Sequence, residues 1–229
     1  MPALHEIPNW ANKEARDYLT EYCIKLKRST AKAVHNMAFN MFVHGDDLDD
    51  LIKHLKREEA NKSQGQPIFF EVDYAINVCQ REVEHLQAEK EKSFNNSNKL
   101  YLIDRIEKIK RAQIILYGIL NLHSKAVKKA LEINDTVMAR DYANKPNSGK
   151  TRKKLWMKIA KHLFRTEVPN SDGHQVKVQE ALQIIRENNV LKVEDLLDLF
   201  PQKAEVSDMK EHLCNCLDDY EEKIKELRN

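Results

Sequence analysis

The stretch Asn144-Lys145-Pro146-Asn147-Ser148-Gly149-Lys150-Thr151 ends like a phosphate-binding loop, in which backbone amides cradle a nucleotide and the lysine reaches its phosphates. The chemistry fails here. Asparagine stands where the first glycine belongs, Pro146 removes an amide donor from the cradle, and no strand precedes the loop, so a helix-to-helix turn is expected. Cys214-Asn215-Cys216 beside His212 has metal-ligand residue types. Two positions along a helix, however, turn side chains roughly 200° apart, so Cys214 and Cys216 cannot share one ion without unwinding. The histidines form no His-x-x-x-His pair, and each is expected on a surface or in a core. The acid pairs Asp46 and Asp47, Asp49 and Asp50, and Asp218 and Asp219 fall at helix starts or on solvated faces. No nucleophile, base and orienting group converge. The expectation is therefore a protein with no catalytic residues, no cofactor, no metal and no small-molecule substrate.

Two constellations have binding chemistry instead. Lys145, Lys150, Arg152, Lys153, Lys154, Lys158 and Lys161 make a basic cluster suited to phosphoinositide head groups, RNA or an acidic protein surface. The bland reading is a solvated helix face, because the one nearby aromatic, Trp156, falls on the apolar side. Met209, Leu213, Cys216, Tyr220 and Leu227, with Leu217 and Ile224 beside them, form an apolar stripe longer than one neighbouring helix requires. That stripe is expected to bind a partner helix, the alternative being packing back on the preceding helices. It stops in mid-pattern at Asn229 with no glycine or proline to close it, so the helix is expected to run on in a longer parent protein.

The elements that must position these residues are helices throughout. Leu155, Trp156, Ile159 and Leu163 share a face of a helix over 154–164, and 191–201 reads as a short helix stopped by Pro201. Upstream, the stripes are Ala15, Leu19, Tyr22, Cys23 and Leu26; Val34, Met37, Ala38, Met41 and Phe42; then Leu48, Leu51, Ile52 and Leu55. Ser29 or Thr30 is expected to cap the second of these helices, His44-Gly45 to close it, and Asp46 to cap the third. Residues 61–67 read as a loop. Val72, Ala75, Ile76, Cys79, Val83 and Leu86 start a helix that becomes charged all round over 84–92, and Leu102, Ile106, Ile109, Leu116 and Leu120 mark a long return. Together these two make a hairpin. Two shorter helices follow, capped by Ser124 and Asp135, with Val137, Met138 and Tyr142 inward on the second. Gly118 sits inside a helical pattern, where it permits close approach of a neighbour.

No segment alternates with a period of two, so the fold class is all-α. About ten amphipathic helices with short connections fit an α-solenoid of stacked antiparallel pairs better than a compact bundle. A net charge of +2 across a chain that is 32% charged produces no strong global field, which removes any electrostatic demand for nucleic acid or an acidic membrane as partner. Cys23, Cys79, Cys214 and Cys216 lack the spacing of a disulfide framework, which favours a reducing, cytoplasmic setting. No signal peptide is evident, and the most apolar window, 113–122, is too short to span a bilayer.

The runs RKKLWMKIAKHLF, NVLKVEDLLDLFP and MKEHLCNCLDDYEEKIKEL, at their spacing here, resemble the end of the helical-repeat region in the vacuolar protein sorting-associated protein 18 (deep orange) family. The likeness continues upstream through IILYGILNLHSKAVKKALEINDTVMARDYA, FEVDYAINVCQRE and STAKAVHNMAFNMFVHGDDLDDLIKHL. It departs at Gln202 and Lys203, and at 84–108, which looks like a charged helical-hairpin insertion. The resemblance implies a clathrin-heavy-chain-like α-solenoid over 1–205 and the start of a long coiled-coil helix over 206–229. It also implies a non-catalytic scaffold of the HOPS and CORVET tethers, with the other class C subunits and fusion machinery as partners. Its place would be the cytoplasm, peripheral on late endosomal and vacuolar or lysosomal membranes. Any ubiquitin-ligase activity would belong to a RING domain that these residues do not contain. The alternative is a helical-repeat binder of nucleic acid or phosphoinositide using Lys145 to Lys161, with nucleic acid the less expected.

Overall fold

The computed structural model describes residues 30–45 and 48–165, with side chains to 163, together with Glu14, Tyr18, Leu191, Asp195, Cys214, Glu221, Ile224 and Lys225. The chain divides into two units, Met1–Asn134 and Asp135–Asn229. Seven helices are described. The first unit holds α1 (Lys32–His44), α2 (Leu48–Ser63), α3 (Val72–Lys92), α4 (Asn96–Ile119) and α5 (His123–Glu132); the second holds α6 (Thr136–Asn144) and α7 (Gly149–Arg165). The described residues include no strand, in keeping with the expected all-α class.

The first unit is built around α4. Its first half is amphipathic, with Leu102, Ile106 and Ile109 buried, but from Ala112 to Leu116 every residue is buried. A helix buried all round needs neighbours all round, and α4 packs on α2, α3 and α5. Each of its large side chains taken from water contributes about 1.5–3 kcal/mol. Asn95 caps it, its Oδ1 accepting from the Ser97 amide at 2.9 Å. The expected hairpin is present: α3 and α4 pack side by side across the turn at 93–95, and the charged end of α3 is largely solvated.

Elsewhere local chemistry shifts the expected boundaries and faces. The inward face of α1 is His35, Ala38, Phe39, Phe42 and Val43, one residue round from the expected stripe, and Met37 is 48% exposed. Ring packing selects this face: His35 stacks on Phe69, Phe39 on Phe70 and Phe42 on His54, with centroids 5.4, 5.8 and 6.1 Å apart. Ala31, not Ser29 or Thr30, occupies the N-cap position and makes no side-chain cap bond. Gly45 follows α1 in extended backbone, with φ −77°, so it is not a left-handed stop. Asp46 lies outside the described residues.

Residues 61–63, expected in a loop, are the last turn of α2. The helix ends in a Schellman motif: Gly65 has φ +79°, its amide donates to Lys62 O at 2.9 Å, and the Gln66 amide donates to Asn61 O at 3.0 Å. Asn121, with φ +59°, ends α4 the same way, its amide donating to Gly118 O at 2.8 Å and that of Leu122 to Tyr117 O at 2.9 Å. Asn134, with φ +55°, follows α5. Asparagine stands in for glycine at both positions because its short polar side chain tolerates this backbone. Ser124 lies inside the first turn of α5, whose N-cap position is Leu122, so that expected cap is not made.

In the second unit, Asp135 caps α6 as expected, its Oδ1 accepting from the Met138 amide at 3.0 Å. The inward residues of α6 are Ala139, Tyr142 and Ala143, whereas Val137 is 68% exposed. Small residues at 139 and 143 let α7 approach closely. α7 begins at Gly149, five residues earlier than its apolar pattern indicated, and buries Leu155, Trp156, Ile159 and Ala160. The Trp156 indole Nε1–H donates to Asn144 Oδ1 at 3.0 Å across the break at 145–148, which ties the two helices together.

Candidate docking surfaces

A cleft of about 740 Å³ opens between α1, α3 and α4, with Tyr74, Tyr101, Arg81 and His85 on its walls and Val78, Leu86 and Leu102 at its base. Its polar centre is the trio Arg105, Glu82 and His44. Arg105, 8% exposed, donates to Gly45 O at 2.9 Å and Val43 O at 3.1 Å, and its Nη2 lies 3.6 Å from Glu82 Oε1. Glu82 Oε2 lies 3.0 Å from His44 Nδ1. A guanidinium thus meets the carbonyl end of the α1 dipole while a carboxylate balances its charge. Burial alone would push the Glu82 carboxyl up, but the His44 hydrogen bond and the nearby His44, Arg105 and His85 outweigh it and hold it below its ordinary value. Lys62 serves a similar end, its ammonium donating to Ile119 O at the end of α4. Within the trio Arg105 is held by the two carbonyls and Glu82, and Glu82 by Arg105 and His44. Among the described residues no group of His, Cys, Asp and Glu could hold a metal ion.

The hairpin end carries apolar residues that the sequence reading passed over. Phe94 is 100% exposed, Leu100 70%, Tyr101 51% and Ile103 39%. Leu100 and Ile103 share a face of α4 three residues apart. Phe94 sits among Ser93, Asn95 and Asn96, where a polar turn masked it, and Leu100 and Ile103 lie off the Leu102-Ile106-Ile109 stripe.

On α7, Lys150, Lys153, Lys154, Lys158 and Lys161 are all exposed. Arg152 parts company with them: it is half-buried on the side of Leu155, Trp156 and Ile159, and its Nε is buried with no hydrogen-bond partner among the described residues. Lys153 Nζ pairs with Asp195 Oδ1 at 2.8 Å. The Lys145 ammonium lies 4.0 Å from the centroid of the Tyr142 ring, a cation–π contact that fixes the start of the break. Residues 144–151 form the end of α6, the break and the first turn of α7, a helix-to-helix turn as expected. Of the C-terminal stripe, Met209, Leu213, Cys216, Leu217, Tyr220 and Leu227 lie outside the described residues, and Ile224 is 48% exposed.

Helices covering one another's apolar faces within each unit, with polar groups spent on helix ends, define an all-α, solenoid-type fold class. Residues 81–164 match the family described as VPS18, alpha-solenoid domain, second half. The chain is 23% identical over 210 residues to "Vacuolar sorting protein 18" of Arabidopsis thaliana, covering 91% of this chain and 18% of that protein. It is 26% identical over 229 residues to "Vacuolar protein sorting-associated protein 18 homolog" of Drosophila melanogaster, covering 100% and 19%. It is 28% identical over 119 residues to "Vacuolar membrane protein pep3" of Schizosaccharomyces pombe, covering 52% and 12%. The chain is therefore similar to vacuolar protein sorting-associated protein 18 relatives over most of its length, and its all-α solenoid fold is the one that the match over 81–164 describes. It spans just under a fifth of the length of the Arabidopsis and Drosophila relatives. No helix among the described residues is long and apolar enough to cross a membrane.

Proposed function

We propose that the chain is a non-catalytic scaffold segment of a HOPS/CORVET-type membrane tether in vesicle transport from endosome to vacuole or lysosome. It acts by binding other class C subunits and, through the assembled tether, the fusion machinery. It works from the cytoplasm, peripheral on late endosomal and vacuolar or lysosomal membranes. In this reading residues 1–205 are the repeat segment, 84–108 its charged hairpin, and 206–229 the start of a long helix. The observation that carries it is the exposure of Phe94, Leu100, Tyr101 and Ile103 at the end of the hairpin. Water-facing side chains such as Phe94, Leu100 and Ile103 favour a protein partner that buries them. The C-terminal stripe Met209, Leu213, Cys216, Leu217, Tyr220, Ile224 and Leu227 is the second docking element.

Capture of recombinant class C subunits on the immobilised chain tests the reading. Phe94→Asp with Leu100→Asp is expected to weaken capture at least about tenfold, since each buried apolar anchor is worth about 1–2 kcal/mol or more. A chain cut at Lys203 is expected to lose a further share. Capture unchanged by both alterations would remove these surfaces from the account, and no capture by the unaltered chain would refute the scaffold reading.

A further inference from the structure

α7 has the sequence GKTRKKLWMKIAKHLFR, five lysines and two arginines with no acidic residue. Lys150, Lys154, Lys158 and Lys161, all exposed, fall within an arc of about 80° and along about 17 Å of helix. The opposite side, Leu155, Trp156, Ile159 and Ala160, is buried, so the helix cannot roll to bury the lysines instead. Asp195 closes one flank of the row by pairing with Lys153, outside the arc of the other four.

We propose that this lysine row is a docking face for an anionic lipid bilayer. The inference rests on the reading of the chain as part of a tether that works on membranes.

Three features favour a bilayer over other polyanions. A stable protein interface needs an apolar centre, and exposed ion pairs alone add little; between these lysines the helix offers only Met157, itself half-buried. Single-stranded nucleic acid needs aromatic faces for its bases, and among the described side chains of this unit's two helices the aromatics Trp156 and Tyr142 are only 2% and 3% exposed. Lysine, a compact and strongly hydrated charge, suits a fluid anionic surface that presents many mobile head groups and requires no fixed bidentate geometry. With no fully exposed apolar side chain among the described residues of the helix, the contact is electrostatic, sits at the head-group level, and weakens as salt shortens the Debye length. Each lysine near such a surface raises partitioning about fivefold, so four together raise it by roughly two orders of magnitude or more.

Co-flotation of the chain with vesicles tests this, using phosphatidylcholine alone, phosphatidylcholine with phosphatidylserine, and the same mixture with a phosphoinositide. The chain is expected to float with both anionic mixtures and not with phosphatidylcholine, and to be released as salt rises from roughly 0.1 M to 0.5 M. The variant Lys150→Gln, Lys154→Gln, Lys158→Gln and Lys161→Gln keeps helix-forming residues. It should retain the far-ultraviolet circular dichroism of the parent yet lose flotation by about a hundredfold in partition coefficient. A control with Lys56→Gln and Lys128→Gln, exposed lysines of α2 and α5, should float normally. Flotation that survives the fourfold substitution, or a chain that shifts single-stranded RNA but ignores anionic vesicles, would overturn the proposal. Capture of class C subunits reports on the tether reading separately: the fourfold variant should capture them normally, so loss of vesicle binding with capture intact identifies the membrane face alone.

Discussion

Replacing Arg105 by methionine isolates the polar centre of the first unit. The change keeps much of the side chain's apolar volume and removes donors to Gly45 O and Val43 O, together with the cation beside Glu82. Each hydrogen bond from a charged donor is worth about 1.5–3 kcal/mol where the acceptor is left buried, and stranding a buried carboxylate costs about 3–5 kcal/mol. Two features bring the sum down. Gly45 is only half-buried, and Glu82 keeps His44 at 3.0 Å in a cleft open to solvent. A loss of about 2–4 kcal/mol is expected. Urea unfolding followed by circular dichroism should show a lower midpoint at unchanged slope, the mark of a stability change without a change in the surface exposed. Glu82→Gln alone should cost less, and the double variant should cost less than the sum of the two because the stranded charge has gone. A cost below about 0.5 kcal/mol for Arg105→Met, or strict additivity in the double variant, would refute the claim that this trio acts as one unit.

The lowered Glu82 carboxyl makes the same trio sensitive to acid: a group whose folded value is depressed stabilises the fold above its unfolded value and loses that contribution as pH falls through the folded one. The stability gap between parent and Glu82→Gln should therefore narrow as pH falls through and below the ordinary carboxylate range, and a gap constant with pH would exclude this. Gly65→Ala forces an ordinary residue to φ +79° with open space around its new Cβ, so the cost should be backbone alone, about 1 kcal/mol by chemical denaturation. Asp135→Ala should lose about 1 kcal/mol by deleting a made cap, whereas Thr30→Ala should lie within about 0.5 kcal/mol because Ala31 holds the cap position. Burial, and next the nearby Glu82, push the Cys79 thiol far up, so peptide mapping after brief alkylation should find Cys79 unmodified in the folded chain while exposed Cys214 reacts.

Periodicity made the helices legible, because an amphipathic helix must repeat its apolar residues every three to four positions, and the stripe Leu102-Ile106-Ile109 led directly to the central helix. It could not show that α4 becomes buried all round from Ala112 to Leu116, since total burial erases the period that betrays a helix face. The face of α1 was misplaced by one position because Phe69 and Phe70, some 30 residues away, draw His35 and Phe39 inward. Nor could the Arg105 trio be read in advance: its members come from three helices, and the Arg105 to Val43 bond joins residues 62 apart. The stops at Asn121 and Asn134 carried a signal that was there to use, asparagine just past a helix, but each was overshadowed by the more familiar glycine. Phe94 was hidden by its polar neighbours. The basic row was visible from spacing alone, and the structure removes Arg152 from it.

The most direct measurement of the scaffold account is lysine cross-linking with mass spectrometry on the assembled tether isolated through this protein. Lys92 and Lys99, beside Phe94 and Leu100 at the hairpin end, should link to lysines of another subunit, while Lys150 and Lys154 should remain free of such links. Links from Lys92 and Lys99 confined to this chain's own lysines, in a complex where other subunits are well cross-linked, would contradict it.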